Sequence, residues 1–212
     1  MQVAQADWLS STLLADRGAR VLASRIKPLK TGWVVHGRAL PVAVPAGDNL
    51  AIHAALSVAQ AGEVLVVDGG NYTERALMGG IMCHQAQAVG LAGVVIDGAV
   101  RDAIELRQAA LPVFASALSP AGPYKHGPGS VFKPVSCGGV SIQAGDWIYG
   151  DDDGVVVFTE QEREPLLQAA YEKWQQEQAR MQAIDKGVLE PAWLRQELAQ
   201  AHIDIAPRPT ND

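Results

Sequence analysis

The sequence predicts an α/β fold, and three observations carry that prediction. Between residues 49 and 102, apolar β-type runs alternate with helical runs, the pattern of strands laid side by side with helices packed over them. Beyond Pro112 the pattern changes to short β-type pieces separated by Gly and Pro, which reads as a second, largely antiparallel sheet. From Glu160 to about Lys186 apolar residues recur at threes and fours, which predicts one long C-terminal helix.

The elements follow in order. Residues 8–17 read as a short amphipathic helix stopped at Gly18, a residue suited to a helix C-cap. Residues 33–40 form a strand run, extended by residues 42–44 beyond Pro41. Residues 49–61 have helical periodicity, with Leu50, Ala51, Ala54, Ala55 and Val58 on one face and Asp48 or Asn49 as N-cap. Strand 63–68 follows at once, then a turn at Asp68-Gly69-Gly70-Asn71 and a helix over 75–89 broken into by Gly79-Gly80. Strand 93–97 completes the alternation. The later β-type pieces are 113–115, 131–132, 140–142, 147–149 and 155–158.

The long helix opens on a capping-box pattern at Thr159 to Glu162. Its stripe of Leu166, Leu167, Ala170, Tyr171, Trp174 and Met181 suits packing in cis or on another subunit equally. A short helix near 191–201 precedes a polar tail at 207–212. Residues 1–188 are thus expected to form a single domain, with 189–212 as a C-terminal helix and tail.

Composition narrows the function classes. A chain of 212 residues with 48% hydrophobic content can bury one substantial core. A net charge of -6 argues against a nucleic-acid or anionic-membrane partner, whose affinity would come from clustered Lys and Arg. Cys83 and Cys137 make neither a disulfide framework nor a zinc spacing, and read as two buried thiols in a reducing compartment. No basic segment leads an apolar one at the N-terminus, and no run approaches the ~20 apolar residues of a membrane span, so a cytoplasmic protein is expected. The five histidines lie at no metal-ligand spacing, and a Gly-x-Ser-x-Gly elbow is missing. Asp151-Asp152-Asp153-Gly154 sits between strand runs and reads as a tight turn rather than a calcium loop.

Two stretches carry chemistry. Gly79-Gly80-Ile81-Met82 opens a helical run, where paired glycines leave backbone N–H groups clear for a carboxylate or phosphate, or else only permit close packing. With no Gly-x-Gly-x-x-Gly and no Gly-Lys-Ser/Thr nearby, nucleotide binding is disfavoured. Strand 93–97 empties through Gly98 into Arg101-Asp102, which sets a cation beside a carboxylate at one sheet end. Asp102 is the oxygen ligand that Mg²⁺ accepts while keeping several waters, and Arg101 offers a fork matched to a substrate carboxylate. The plainer alternative is a surface ion pair.

Gly80, twenty intervening residues, Arg101-Asp102, two more and Glu105 together resemble the Gly-x20-Arg-Asp-x2-Glu/Asp pattern of the RraA-like family. That family includes 4-hydroxy-4-methyl-2-oxoglutarate and 4-carboxy-4-hydroxy-2-oxoadipate aldolases. The likeness extends to Asp48–His53, Gly62–Asp68, Gly93–Asp102, Gly122–Lys125, Pro134–Gly139 and Gly150–Val157, spanning about residues 10–180.

The resemblance implies a three-layer β/β/α swivelling-domain fold, assembled as trimers or hexamers with active sites at subunit interfaces. It implies a class II aldolase needing Mg²⁺ or Mn²⁺, which cleaves a 4-hydroxy-2-oxo di- or tricarboxylic acid to pyruvate plus a 2-oxo acid and decarboxylates oxaloacetate. Asp102 would bind the metal, Arg101 the pyruvyl carboxylate, and the backbone at Gly80, Ile81 and Met82 its oxygens. Glu105 is implied as a supporting acid behind them, and a neighbouring subunit would add a further acid, with Glu177 the first choice and Glu172 the second. Many relatives carry an acid where this chain has Gly80. The same family holds non-catalytic members that bind and inhibit an endoribonuclease, which makes a protein-binding regulator the main rival.

Overall fold

The computed structural model describes residues 7–203 and residue 206; the polar tail expected at 207–212 lies outside the described residues. The chain opens with helix α1 (Ser11–Ala15), capped by the Ser10 hydroxyl, which accepts from the Leu13 amide at 3.2 Å. It is shorter than the run of 8–17 expected for it. Strands β1 (Arg20–Val21), β2 (Lys27–Pro28) and β3 (Val35–Ala43) follow, then helix α2 (Leu50–Val58), strand β4 (Glu63–Met78) and helix α3 (Gly80–Val89). Next come β5 (Gly93–Val100), α4 (Ala103–Gln108) and β6 (Val113–Leu118). The later strands are β7 (Ser130–Val131), β8 (Val135–Cys137), β9 (Val140–Ile142), β10 (Trp147–Asp151) and β11 (Gly154–Phe158). Helices α5 (Glu160–Asp185) and α6 (Leu194–Gln200) end the chain.

Strands β3, β4, β5 and β6 run parallel and form the middle of a nine-stranded sheet among the described residues, in the order β1-β11-β10-β3-β4-β5-β6-β2 with β7 paired to β3. The expected separate antiparallel sheet is largely absorbed into this one. The open edge of β3 has unpaired backbone groups, and β10 satisfies them antiparallel over Val35–Arg38. Only β8 and β9 stand apart, as a two-stranded sheet. Pro41 does not end β3, because it falls between the stretch paired with β10 and the stretch paired with β7. The aspartate-rich turn joins β10 to β11 as expected, with the Asp153 amide donating to Asp151 Oδ1 at 3.0 Å.

Residues 75–78 are strand rather than the start of a helix, and Asp68-Gly69-Gly70-Asn71 lies inside β4 rather than between elements. The register with β5 shifts three times between Asp68 and Met78, which lets the chain bulge and then rejoin the ladder at Ala76↔Ala99 and Met78↔Val100. Ala76, Leu77 and Met78 are buried there, so packing against β5 outweighs the helical look of the local sequence.

The sheet is covered on both faces, as a β/β/α layering requires. On one face Leu40, Leu65, Val67 and Ile96 pack against Ile52, Leu56, Met82 and Ala86 of α2 and α3. On the other, Val64, Val66, Val95 and Phe114 pack with Ile148 and Val157 and with Val135, Cys137 and Ile142 of the β8–β9 hairpin. Every residue of β5 is buried, consistent with a central parallel strand covered on both sides. Asp97 is the one charged residue of that strand. Its carboxylate receives Arg25 Nε at 3.0 Å and Nη2 at 2.8 Å, Ser116 Oγ at 3.1 Å and the Gly138 amide at 3.0 Å. It therefore ties the hairpin and the β1–β2 segment to the sheet centre.

The capping box forms at the start of α5: the Thr159 amide donates to Glu162 at 2.7 Å and the Glu162 amide to Thr159 Oγ1 at 3.2 Å. Leu166 and Ala170 are buried and Tyr171 meets Trp8 edge-on at 5.1 Å, so this part of the apolar stripe packs in cis. By compactness the chain divides after Glu172 into two units. In the second, Arg180 donates to the Val188 carbonyl at 2.8 Å and Lys173 pairs with Glu177 at 3.2 Å. Among the described residues no helix is long and apolar enough to cross a membrane.

Candidate functional site

Strands β4 and β5 end side by side at Met78 and Val100, so the residues that follow them leave the sheet together. The Arg101 amide donates to the Met78 carbonyl at 3.0 Å. Asp102 then takes the left-handed conformation, φ 59° and ψ 41°, which Asp tolerates better than most residues. That turn aims its carboxylate away from its own helix α4 and back at α3, where Oδ2 accepts the Gly80 amide at 2.9 Å. Arg101 Nε lies 3.7 Å from the same oxygen. Both side chains are close to half exposed. Gly79 is required by this approach, because a Cβ there would lie 2.4 Å from Asp102 Oδ2 and 2.9 Å from Arg101 Cγ.

The facing wall comes from the start of α2 and the loop over residues 121–127. Asp48 is buried and binds the two together: its carboxylate accepts the Leu50 amide at 2.9 Å, the His126 amide at 2.6 Å and the Gly127 amide at 2.9 Å. Burial alone would raise the Asp48 pKa, yet these amide bonds, with the charge of His126, leave it below the ordinary value. The Asn49 amide donates to the Tyr124 carbonyl at 3.0 Å, and Arg75 stacks on the Tyr124 ring at 4.1 Å while donating to the Gly122 carbonyl at 2.7 Å. This scaffold holds Asn49, His53 and Lys125 across a cleft of about 170 Å³ from Arg101 and Asp102. Leu77, Met78 and Gly79 also line it, with Ile81 and Met82 at the α3 entrance.

The profile of the RraA-like family, described as Aldolase/RraA, matches residues 7–157. The chain belongs to the RraA-like family. It is 38% identical over 183 residues to a protein of Halalkalibacterium halodurans provisionally named a 4-hydroxy-4-methyl-2-oxoglutarate aldolase, covering 85% of this chain and 87% of that one. A protein of Burkholderia multivorans with the same provisional name is 41% identical over 150 residues, 68% of this chain and 87% of its own. Among solved structures, the RNA-processing inhibitor RraA from Thermus thermophilis superposes with a TM-score of 0.66 at 34% identity, over 72% of this chain and 93% of that one.

Of the four pattern residues, two line the main cleft and two, Gly80 and Glu105, line the groove beside it. Arg101, Asp102, Ile81 and Met82 line one cleft. The Gly80 amide does not remain open for a ligand, since Asp102 already accepts it. The Cys83 amide closes on the Gly79 carbonyl at 3.0 Å, which leaves the first-turn amides of Ile81 and Met82 as the open donors of α3. Glu105 stands on the other side of Gly80, where a Cβ would lie 2.3 Å from its carboxylate, and it lines a neighbouring groove with Cys83 and His84. Glu177 lies on α5 in the second unit, paired with Lys173.

Three polar cleft residues had no functional role in the sequence reading: Asn49, which was only a candidate N-cap, His53 and Lys125. As site residues they stood out only within the family-like blocks Asp48–His53 and Gly122–Lys125, and the fold supplies what brings them to one wall. The His53 pKa is lowered, first by burial and then by the charge of Lys125, so the ring is neutral near pH 7. Cys83 is pushed up to about 12 by burial and by the charges of Asp102 and Glu105, which keeps it a thiol and removes it as a nucleophile.

Among the described residues no three His, Cys, Asp or Glu side chains converge on one point. Asp102 is the one carboxylate lining the cleft among the described residues, so a hard divalent ion there would take one protein oxygen and complete its shell with water and ligand oxygens, as Mg²⁺ accepts.

Proposed function

We propose that this RraA-like protein is a divalent-metal-dependent carbon–carbon lyase. It cleaves a 4-hydroxy-2-oxo di- or tricarboxylic acid to pyruvate and a second 2-oxo acid, and it also decarboxylates oxaloacetate. The observation that carries the reading is the pair Arg101 and Asp102 on one lip of a cleft sized for a small acid, facing a wall with a second cation, Lys125. The aldolase names of the relatives in Halalkalibacterium halodurans and Burkholderia multivorans support it.

Both reactions generate the enolate of pyruvate, so the site must stabilise negative charge that grows at the 2-oxo oxygen. Asp102 would hold Mg²⁺ or Mn²⁺, which when bound supplies Lewis-acid stabilisation of that charge. Arg101 binds and orients the pyruvyl end and adds a second positive group. The Ile81 and Met82 amides offer hydrogen bonds to its carboxylate. Gly80 fixes the Asp102 carboxylate through its amide. The chain acts as a trimer or hexamer in which a neighbouring copy adds an acid, Glu177 first and Glu172 second.

Asp102→Asn tests the reading. It is expected to abolish Mg²⁺-dependent pyruvate release from 4-hydroxy-4-methyl-2-oxoglutarate and oxaloacetate while the melting curve stays near wild type. Full turnover of oxaloacetate by that variant, or by wild type in excess chelator after subtracting the metal-only background, sinks it. The alternative, a non-catalytic regulator that binds an endoribonuclease, is favoured by the likeness to the Thermus RNA-processing inhibitor. It requires no pyruvate release from any 2-oxo acid in the presence of metal.

A further inference from the structure

The bulged part of β4 takes no part in the chemistry at Arg101 and Asp102, yet it is tied to the chain that lies beside them. The strand pairs with β5 at Tyr72↔Gly98 and again at Ala76↔Ala99, which leaves Thr73, Glu74 and Arg75 off that ladder. Residues 74–76 bond to the segment 119–122 instead. The Glu74 carbonyl accepts Ser119 Oγ at 2.7 Å, the Ala76 amide donates to the Ala121 carbonyl at 2.9 Å, and Arg75 Nη1 donates to the Gly122 carbonyl at 2.7 Å. Arg75 is itself half-buried and held by its stack on the Tyr124 ring at 4.1 Å.

This tie fixes a surface against which Arg101 lies. A Cβ on Gly122 would stand 2.9 Å from Arg101 Nη1, and a Cβ on Gly79 would stand 2.9 Å from Arg101 Cγ and 3.1 Å from Nε. The Arg101 side chain therefore runs through a slot between two glycines, its stem along Gly79 and its guanidinium on Gly122. The side chain is 42% exposed and its ion pair with Asp102 spans 3.7 Å, too long for a hydrogen bond, so that pair alone does not fix it.

We infer that Arg75 is a positioning residue for Arg101: by anchoring Gly122 it builds the outer wall of the slot that keeps the Arg101 guanidinium at the cleft. The inference rests on reading Arg101 as the group that binds the pyruvyl carboxylate, and it gives the β4 bulge a purpose. Arg75 acts in two ways. It fixes the Gly122 backbone, which limits where a long and otherwise free side chain can go. It also engages the Gly122 carbonyl. Without Arg75 that carbonyl is a bare acceptor beside the Arg101 guanidinium, and a guanidinium that donates to it no longer presents its fork to a carboxylate.

Gly122→Ala and Arg75→Met attack the slot from its two sides. Beyond its chain neighbours, a Cβ at Gly122 meets only Arg101 atoms within 4 Å, and the backbone there is not left-handed, so this variant should fold with Arg101 displaced. The Arg101 Nε–Hε NMR resonance, assigned by its loss in Arg101→Met, reads the guanidinium without substrate. Calorimetric titration with pyruvate in Mg²⁺ reads binding. Both variants are expected to shift the resonance, to weaken pyruvate binding about tenfold, and to lower kcat/KM for pyruvate release from 4-hydroxy-4-methyl-2-oxoglutarate about tenfold. Neither should weaken binding further in an Arg101→Met background, whereas a residue that merely stabilised the loop would cost the same in both backgrounds. Arg75→Lys, which keeps a donor for the Gly122 carbonyl, should recover part of the loss. Melting curves check folding, and Gly122→Ala carries the test if Arg75→Met unfolds. An Arg101 resonance that does not move, or equal losses with and without Arg101, overturns the inference. A resonance that shifts in a protein that neither binds nor releases pyruvate keeps the slot and removes the lyase reading.

Discussion

Asp48→Asn probes the joint that holds the two halves of the cleft wall together. The carboxylate accepts three amides, Leu50 on Oδ1 and His126 and Gly127 on Oδ2, all within 2.9 Å. An Asn of the same shape can keep its oxygen toward His126 and Gly127, but then turns an NH₂ group against the Leu50 amide. Two bonds lose their charge assistance, at about 1 kcal/mol each, and the third is lost for roughly another 1 kcal/mol. Relief from burying a charge offsets about 1 kcal/mol. The net loss of about 2 kcal/mol corresponds to a fall in Tm of roughly 4–8 °C for a chain of this size.

The same change loosens the loop carrying Pro123 and Lys125, so kcat/KM for pyruvate release should fall about tenfold even well below the melting temperature. Acid should mimic the substitution. The folded-state pKa of Asp48 is lowered from its ordinary 3.8, so its stabilisation is fully present above that value and is lost as pH falls through the folded value. Scanning calorimetry from pH 3 to 7 and steady-state pyruvate release read both effects. A Tm within 1 °C of wild type together with unchanged kcat/KM would refute the assignment of Asp48 as the anchor of this wall.

Gly79→Ala should separate activity from stability: the backbone there is extended, φ -148°, so Ala fits the conformation and only its Cβ intrudes on Asp102. Expect at least a tenfold loss of metal-dependent pyruvate release for about 1 kcal/mol of stability in urea titration; equal activity would mean that the Asp102 rotamer is not needed. Arg25→Ala strands the Asp97 carboxylate, which is 4% exposed, although Ser116 and Gly138 still donate to it. Because Arg25 is itself 40% exposed and water can partly replace it, the expected loss is about 2–3 kcal/mol rather than the full cost of an orphaned buried charge; a loss below 0.5 kcal/mol would deny the tie a structural role.

What the sequence disclosed and what it hid follow one physical line. Periodicity along the chain reports which face of an element is buried, and so it found α2, the central strands and α5. It misread residues 75–78 because burial on both sides of a parallel strand removes the alternation that marks a strand, leaving Ala76-Leu77-Met78 to look helical. The site divides in the same way. Arg101 and Asp102 are neighbours in sequence, and their pairing is visible there. Asn49, His53 and Lys125 become neighbours only through Asp48, which spans 78 positions to reach the His126 amide.

Gly80 is where the two kinds of information meet. The glycine that leaves this chain without an acid at that position also vacates the space that the Glu105 carboxylate fills, since a Cβ there would lie within 2.5 Å of both carboxylate oxygens. Glu105 is carried on α4, behind the Gly80 amide that fixes the Asp102 carboxylate. Any side chain placed at position 80 must first displace Glu105, so the two positions cannot be varied independently, and their effects on Asp102 should be non-additive.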